Sequence, residues 1–195
     1  MALDRRRFVS LAAVSAAMSA VCPVAAAADG GRSRVTAYAF SFPAPTGDDI
    51  RLMDYASRPT LVVNTASLCG YTPQYAGLEL LFGRYRDRGL MVIGVPSNDF
   101  GGQEPGDDSQ IAHTAHRQYG VTFPLAAKVR VRGPDSHAFY RWAAVERPLD
   151  TPRWNFHKYL VGRDGHLAAA FASAIEPADP RVTAAIEREL GGKAS

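Results

Sequence analysis

"LVVNTASLCGYTPQYAGLELL", residues 61 to 81, passes from an apolar run through a short loop into a segment with apolar residues at helical spacing. Leu61, Val62 and Val63 form a β-like run without alternation, the pattern of a strand covered on both faces. Beyond the loop, Tyr75, Leu78, Leu81, Phe82 and Tyr85 share one helical face, with Thr72 placed as N-cap, Pro73 at the first helical position and Gly89 as the stop. A longer apolar run, "LMVIGV" at 90 to 95, follows at once. Two buried strands joined by a helix make a βαβ unit, and the strands it joins are parallel.

Working outward, Val35 to Phe40, the turn residues "PAPTGDD" at 43 to 49, and Ile50 to Met53 read as a hairpin at the front. Helices are expected from about Ser109 to Gln118 and from Asp135 to about Val145, the second with Pro134 near its start. "HKYLV" at 157 to 161, the turn "GRDG" and "LAAAFAS" at 167 to 173 read as an antiparallel hairpin. Asp179 and Pro180 then start a final helix that stops at Gly191 and Gly192. The order predicts α/β layers around one mixed central sheet. With 195 residues, 47% hydrophobic and 21% charged, the chain has material for one well-buried domain.

The amino end is expected to lie outside that domain. Arg5, Arg6, Arg7 and Phe8 precede an alanine-rich apolar stretch from Val9 to Val21, and Ala25 to Ala28 supply small residues for cleavage. Residues 1–28 therefore read as a cleavable export signal and 29–195 as the mature domain. The paired arginines resemble a twin-arginine signal, which exports folded proteins; a general secretory signal with a basic start is the alternative. Cys22 hints at lipid attachment, but Val21 is bulkier than the small residue such a site carries. The expected location is the periplasm.

Removing Asp4 and the three arginines with the signal takes the formal net charge from +3 to +1. So nearly neutral a protein gives no electrostatic reason to expect nucleic acid or an acidic membrane surface. No later stretch is apolar enough to cross a bilayer. Cys22 leaves with the signal, so Cys69 remains alone in an oxidising compartment and cannot form an internal disulfide. Its place just past a buried strand and before a helix N-terminus favours a reactive thiolate over an inert core cysteine. A second cysteine three residues on, as disulfide shuttling requires, is replaced by Thr72.

Four separated segments carry a family resemblance: residues 61 to 81, "GLMVIGVPSNDFGGQEPG" at 89 to 106, "YGVTFPL" at 119 to 125, and "RWNFHKYLVGRDG" at 153 to 165. Together they resemble the glutathione peroxidase family, in its cysteine-containing, non-selenium branch. The resemblance implies a thioredoxin-like fold, with Cys69 as the peroxide-reacting residue. It also implies a catalytic set completed by Gln103, Trp154 and Asn155. Gln103 and Asn155 offer amide donors and Trp154 an indole N–H, suited to stabilising a thiolate and the charge on a departing oxygen.

Many non-animal members carry a resolving cysteine in the helix before "YGVTFPL", yet residues 112 to 118 read "AHTAHRQ". A second family cysteine is Ser97 here, and a family glutamine is Asp99. A lone thiol can still cycle, if peroxide oxidises it to a sulfenic acid and external thiols restore it through a mixed disulfide. The expected partners are thus a peroxide and an external reductant, glutathione or a thioredoxin-like protein, with no bound cofactor. His113 and His116 stand at i, i+3 spacing but lack a third metal ligand, and they read as a solvated helix face. The short connection after the helix ending near Val145 leaves little room for the assembly loop of tetrameric members, which implies a monomer.

Two other functions remain open at this level. A peroxide sensor would pass oxidation from Cys69 to one partner protein, whereas an enzyme would turn over with small thiols. A silent binding domain would keep the fold with an unreactive Cys69.

Overall fold

The computed structural model describes residues 34–191. The expected export signal and the residues after Gly191 lie outside the described residues.

The predicted βαβ unit is present. Strand β3 (Thr60–Thr65) and strand β4 (Met91–Pro96) pair in parallel, and every residue of both is buried. Helix α1 (Gln74–Tyr85) crosses between them and buries Tyr75, Leu78, Leu81, Phe82 and Tyr85, the face read from spacing. A 3-10 turn, Arg86–Arg88, extends it to Gly89, whose φ of 112° no other residue adopts without strain.

Strand β5 (Lys158–Val161) runs antiparallel to β3 and pairs on its other side with strand β6 (Leu167–Phe171), so the sheet order is β4-β3-β5-β6. This is the mixed sheet expected, with β4 and β6 at its edges. Arg147 reaches the outer edge, where its Nη2 donates to the carbonyls of Leu167 and Ala168 at 3.0 and 3.1 Å. Helix α4 (Pro180–Glu189) starts where expected, with the Asp179 carboxylate accepting from the Arg181 N–H at 2.8 Å.

Three expected elements differ. The front hairpin is shorter and later: β1 (Ser41–Phe42) pairs with β2 (Ile50–Arg51), while Ala37–Ala39 form a 3-10 turn. Long-range contacts override the strand-like pattern of Val35 to Phe40. Ala37 N–H donates to Gly165 at 2.8 Å, and the indole of Trp142 donates to Val35 at 3.1 Å. The helix expected from Ser109 opens one residue earlier as α2 (Asp108–Ala112), held by an Asp107–Gln110 capping box, and widens into a π-helical turn over His113–Gln118. His113 and His116 therefore do not stand on a regular helix, and the His116 ring contacts the Val121 carbonyl at 2.7 Å.

Helix α3 (Ala138–Glu146) begins three residues later than expected, because Asp135 pairs with Arg130 at 3.4 Å and His137 Nδ1 takes the capping position. Its aromatic face, Phe139, Tyr140 and Trp142, packs on Phe40 and Phe42 from the front segment and on Tyr159 of β5. That cluster fixes the front hairpin to the sheet.

Candidate active site

Because β5 is antiparallel to β3, its first residues lie beside the end of β3; Val63 stands opposite Lys158. The loop after β3, the loop after β4 and the segment entering β5 thus meet at one end of the sheet, where strand carboxyl ends leave a crevice. They carry Cys69, Gln103 and Trp154 with Asn155, so three stretches distant in sequence converge.

Cys69 is tied down on both sides. Thr72, read from sequence as an N-cap, instead turns its hydroxyl back: Oγ1 accepts from Cys69 N–H at 3.0 Å and lies 2.7 Å from the Cys69 carbonyl and 2.9 Å from that of Ala66. Helix α1 consequently starts at Gln74, with Pro73 as the residue before it. The Tyr71 N–H points at the Cys69 sulfur at 3.4 Å. A backbone donor aimed at sulfur just ahead of a helix stabilises negative charge there. Cys69 keeps 7% of its surface open, beside Leu68, which is 67% exposed.

Gln103 is brought alongside by backbone geometry. Gly101 and Gly102 both adopt left-handed φ values, 66° and 64°. A Cβ on Gly101 would lie 3.4 Å from the Trp154 ring. The Gln103 carbonyl then accepts from Leu68 N–H at 3.0 Å, which stitches this loop to the residue before Cys69.

Trp154 is 39% exposed and its ring packs on Phe100, centroids 5.9 Å apart. Asn155 is fully buried and its Nδ2 donates to Gln103 Oε1 at 3.0 Å. The resemblance implies Asn155 as a donor toward the reacting atoms; in the structure one of its two amide hydrogens goes to Gln103. The bond orients the Gln103 amide, leaving its Nε2 hydrogens turned away from Asn155.

Residues that sequence reasoning passed over hold this arrangement. Asn64, a polar residue inside the buried β3 run, donates from Nδ2 to the Trp154 carbonyl at 3.1 Å. Its own carbonyl accepts from Phe156 N–H at 2.6 Å. Phe156 pays for that contact with a φ of 64°, rare for a side-chain-bearing residue. The available signal was Asn64 itself, since a buried amide needs partners.

Beneath the crevice Lys158 is wholly buried, donating to Gln74 Oε1 and the Phe156 carbonyl, both at 2.7 Å. Burial lowers its amine to about 8, against the pull of Glu176. Burial likewise lowers neighbouring His157 to about 4, helped by the Lys158 charge. A pocket of about 610 Å³ opens on the other side of the Cys69 loop, lined by Tyr71, Trp154, His157 and Arg153 among others. Among the described residues, no group of three or more His, Cys, Asp or Glu side chains is placed to hold a metal ion.

Comparison with known proteins identifies the family and the fold. Residues 37–144 match the family model described as Glutathione peroxidase. The chain is 40% identical over 164 residues to a hydroperoxy fatty acid reductase of Synechocystis sp., a match covering 80% of this chain and 96% of that one. Among solved structures it is similar to Trgpx in apo form, with a TM-score of 0.67 and 32% identity over 84% of this chain and all of the other. A thioredoxin family thiol:disulfide interchange protein from Chlorobium tepidum shares the fold at a TM-score of 0.55 and 13% identity, covering 83% of this chain and all of its own. The fold is thioredoxin-like.

Proposed function

The chain belongs to the glutathione peroxidase family and is a thiol-dependent peroxidase, and from that premise we propose that it works with Cys69 as its sole redox sulfur. The observation that carries this is the Cys69 loop itself: a free thiol under a backbone donor, stitched to Gln103, in a domain with no second cysteine among the described residues. Ser97 is fully buried at the end of β4, and residues 112 to 118 offer no sulfur.

In the proposed cycle the Cys69 thiolate attacks the distal peroxide oxygen. An S–O bond forms, the O–O bond breaks with its electron pair on the leaving oxygen, and a proton converts that oxygen to water or alcohol. Gln103 Nε2 and the Trp154 indole are the donors for the developing charge, and Asn155 holds Gln103 in register. A first external thiol condenses with the sulfenic acid, releasing water and leaving a mixed disulfide. A second thiol, or the other half of one dithiol, displaces Cys69 as thiolate. No cofactor enters this scheme.

We further propose lipid as well as small hydroperoxides as substrates, supported by the relative named a hydroperoxy fatty acid reductase, by exposed Leu68 next to Cys69 in the chain and by exposed Trp154 at the same end of the sheet. Export through residues 1–28 and a monomeric state complete the reading; the short passage from Glu146 to Trp154 supports the second.

Cys69→Ser is expected to abolish peroxide turnover. Mass measurement on the wild type after peroxide is expected to find a sulfenic acid that one added thiol traps, and no intramolecular disulfide. Turnover retained in the serine variant would remove Cys69 from the mechanism. The same assay on cell fractions checks the location, with activity expected outside the cytoplasm.

A further inference from the structure

Lys158, the first residue of β5, is a cation with no exposed surface. Glu176, whose charge acts on it, is held one amide away, accepting from Gln74 Nε2 at 3.4 Å. Taking an ammonium out of water is costly, and an apolar side chain of similar length would fill the same space without that cost. What the ammonium offers instead is direction. Its Nζ donates to two acceptors on different elements, Gln74 Oε1 at the start of α1 and the Phe156 carbonyl in the segment entering β5, each at 2.7 Å.

Each acceptor leads to one half of the site. Gln74 Nε2 donates to the Ser173 carbonyl at 2.7 Å, which turns Oε1 toward Lys158, and Gln74 N–H donates to the Tyr71 carbonyl at 2.9 Å. That closes the turn whose own N–H, from Tyr71, points at the Cys69 sulfur. On the other arm, Asn64 of β3 holds the Trp154 carbonyl, the Phe156 N–H and the His157 carbonyl, at 3.1, 2.6 and 3.2 Å. The Phe156 carbonyl is instead joined to α1, through Lys158, at the residue whose φ of 64° is rare for a side-chain-bearing residue. Such a conformation persists only where its surroundings over-determine it.

We propose that Lys158 is a positioning residue for peroxide reduction, registering the segment that carries Trp154 and Asn155 against the turn that carries Cys69. The proposal rests on the peroxidase reading given above. One ammonium spans both arms, so it sets how the donors for the leaving oxygen stand relative to the attacking sulfur. Asn155 passes that placement on to Gln103 through its 3.0 Å bond. A methionine at this position has the length but no donor, and it frees the Phe156 carbonyl and the first residue of α1 to move apart. Donors preorganised for a developing oxyanion lose their effect steeply with displacement.

The test compares, for the wild type and Lys158→Met at one pH, the rate constants of Cys69 with hydrogen peroxide and with iodoacetamide, circular dichroism checking the fold. Alkylation uses the same thiolate but releases iodide, with no oxyanion to stabilise, so the ratio of the two constants cancels the thiolate fraction and reports the donors. That ratio is expected to fall at least about tenfold in Lys158→Met. A merely structural loss would slow both reactions or neither. In an Asn155→Ala background, where the arm to Gln103 is already cut, adding Lys158→Met is expected to lower the ratio by at most about threefold more. Should the methionine variant not fold, Gln74→Met cuts the bridge at its other end and is expected to lower the ratio at least about fivefold. A ratio within about twofold of the wild type in a folded variant, or an equal factor in both backgrounds, overturns the proposal. A wild-type Cys69 that peroxide does not oxidise would instead overturn the peroxidase reading beneath it.

Discussion

The hydrogen bond from Asn155 Nδ2 to Gln103 Oε1 makes one amide the rudder of another. Asn155→Asp keeps the size but presents oxygens to Gln103 Oε1, so Gln103 is driven to flip and its donors leave the site. The expected outcome is a loss of about 10 to 100-fold in the rate of peroxide reduction with the fold retained, checked by stopped-flow oxidation and circular dichroism. His157 supplies an acid limb of the pH dependence of stability. Its folded-state value of about 4 lies below the ordinary 6.5, so the unfolded chain takes up the proton first as pH falls. The contribution of this group is therefore intact above about 6.5 and is lost on the way to about pH 4, about 3 kcal/mol when complete. His157→Phe is expected to lose that acid limb in urea titrations at stepped pH. At this scale the motifs point to Cys69, Gln103, Trp154 and Asn155 as candidates, and the structure brings the segments that carry them to one end of the sheet. Asn64 is not legible, because an amide in a strand shows its purpose only when distant segments meet, and the Tyr71 N–H is not, because spacing does not say which way a backbone donor in a loop points.

At the scale of the element, the turn from Ala66 to Pro73 is a short knot held by the Thr72 hydroxyl. Thr72→Val preserves shape and removes that oxygen, leaving the buried Cys69 N–H without its partner. A cost of about 1 to 3 kcal/mol follows, read as a fall of about 2 to 10 °C in Tm by calorimetry. Peroxide reactivity should fall as well, because the same oxygen fixes the sulfur. The βαβ unit was legible since its strands and helix each obey a local period. The strand-like front segment and the π-helical turn were not. Ala37 and Val35 answer to Gly165 and Trp142, more than a hundred residues away. The widened turn at His113–Gln118 has no signature in spacing alone.

Over the whole molecule, one topological choice does most of the assembly. Sending β5 back against β3 places the "RWNF" segment over the end of the strand that leads to Cys69. The α/β class and mixed sheet could be read from element order, but the strand order could not, since local spacing does not say whether β5 pairs with the free edge of β3 or with that of β4. The convergence of the candidate site residues depends on that order more than on any one loop.

The Arg147 guanidinium, lying across the carbonyls of Leu167 and Ala168, has a meaning beyond this fold. An unguarded row of acceptors on an outer strand is a template for a neighbour's backbone, and β6 is alanine-rich there, with little bulk to discourage stacking. Arg147→Ala is expected to turn a well-behaved solution into one that scatters light as concentration rises, while fresh dilute samples keep their activity. One cation on a helix-terminal turn thus stands guard against aggregation.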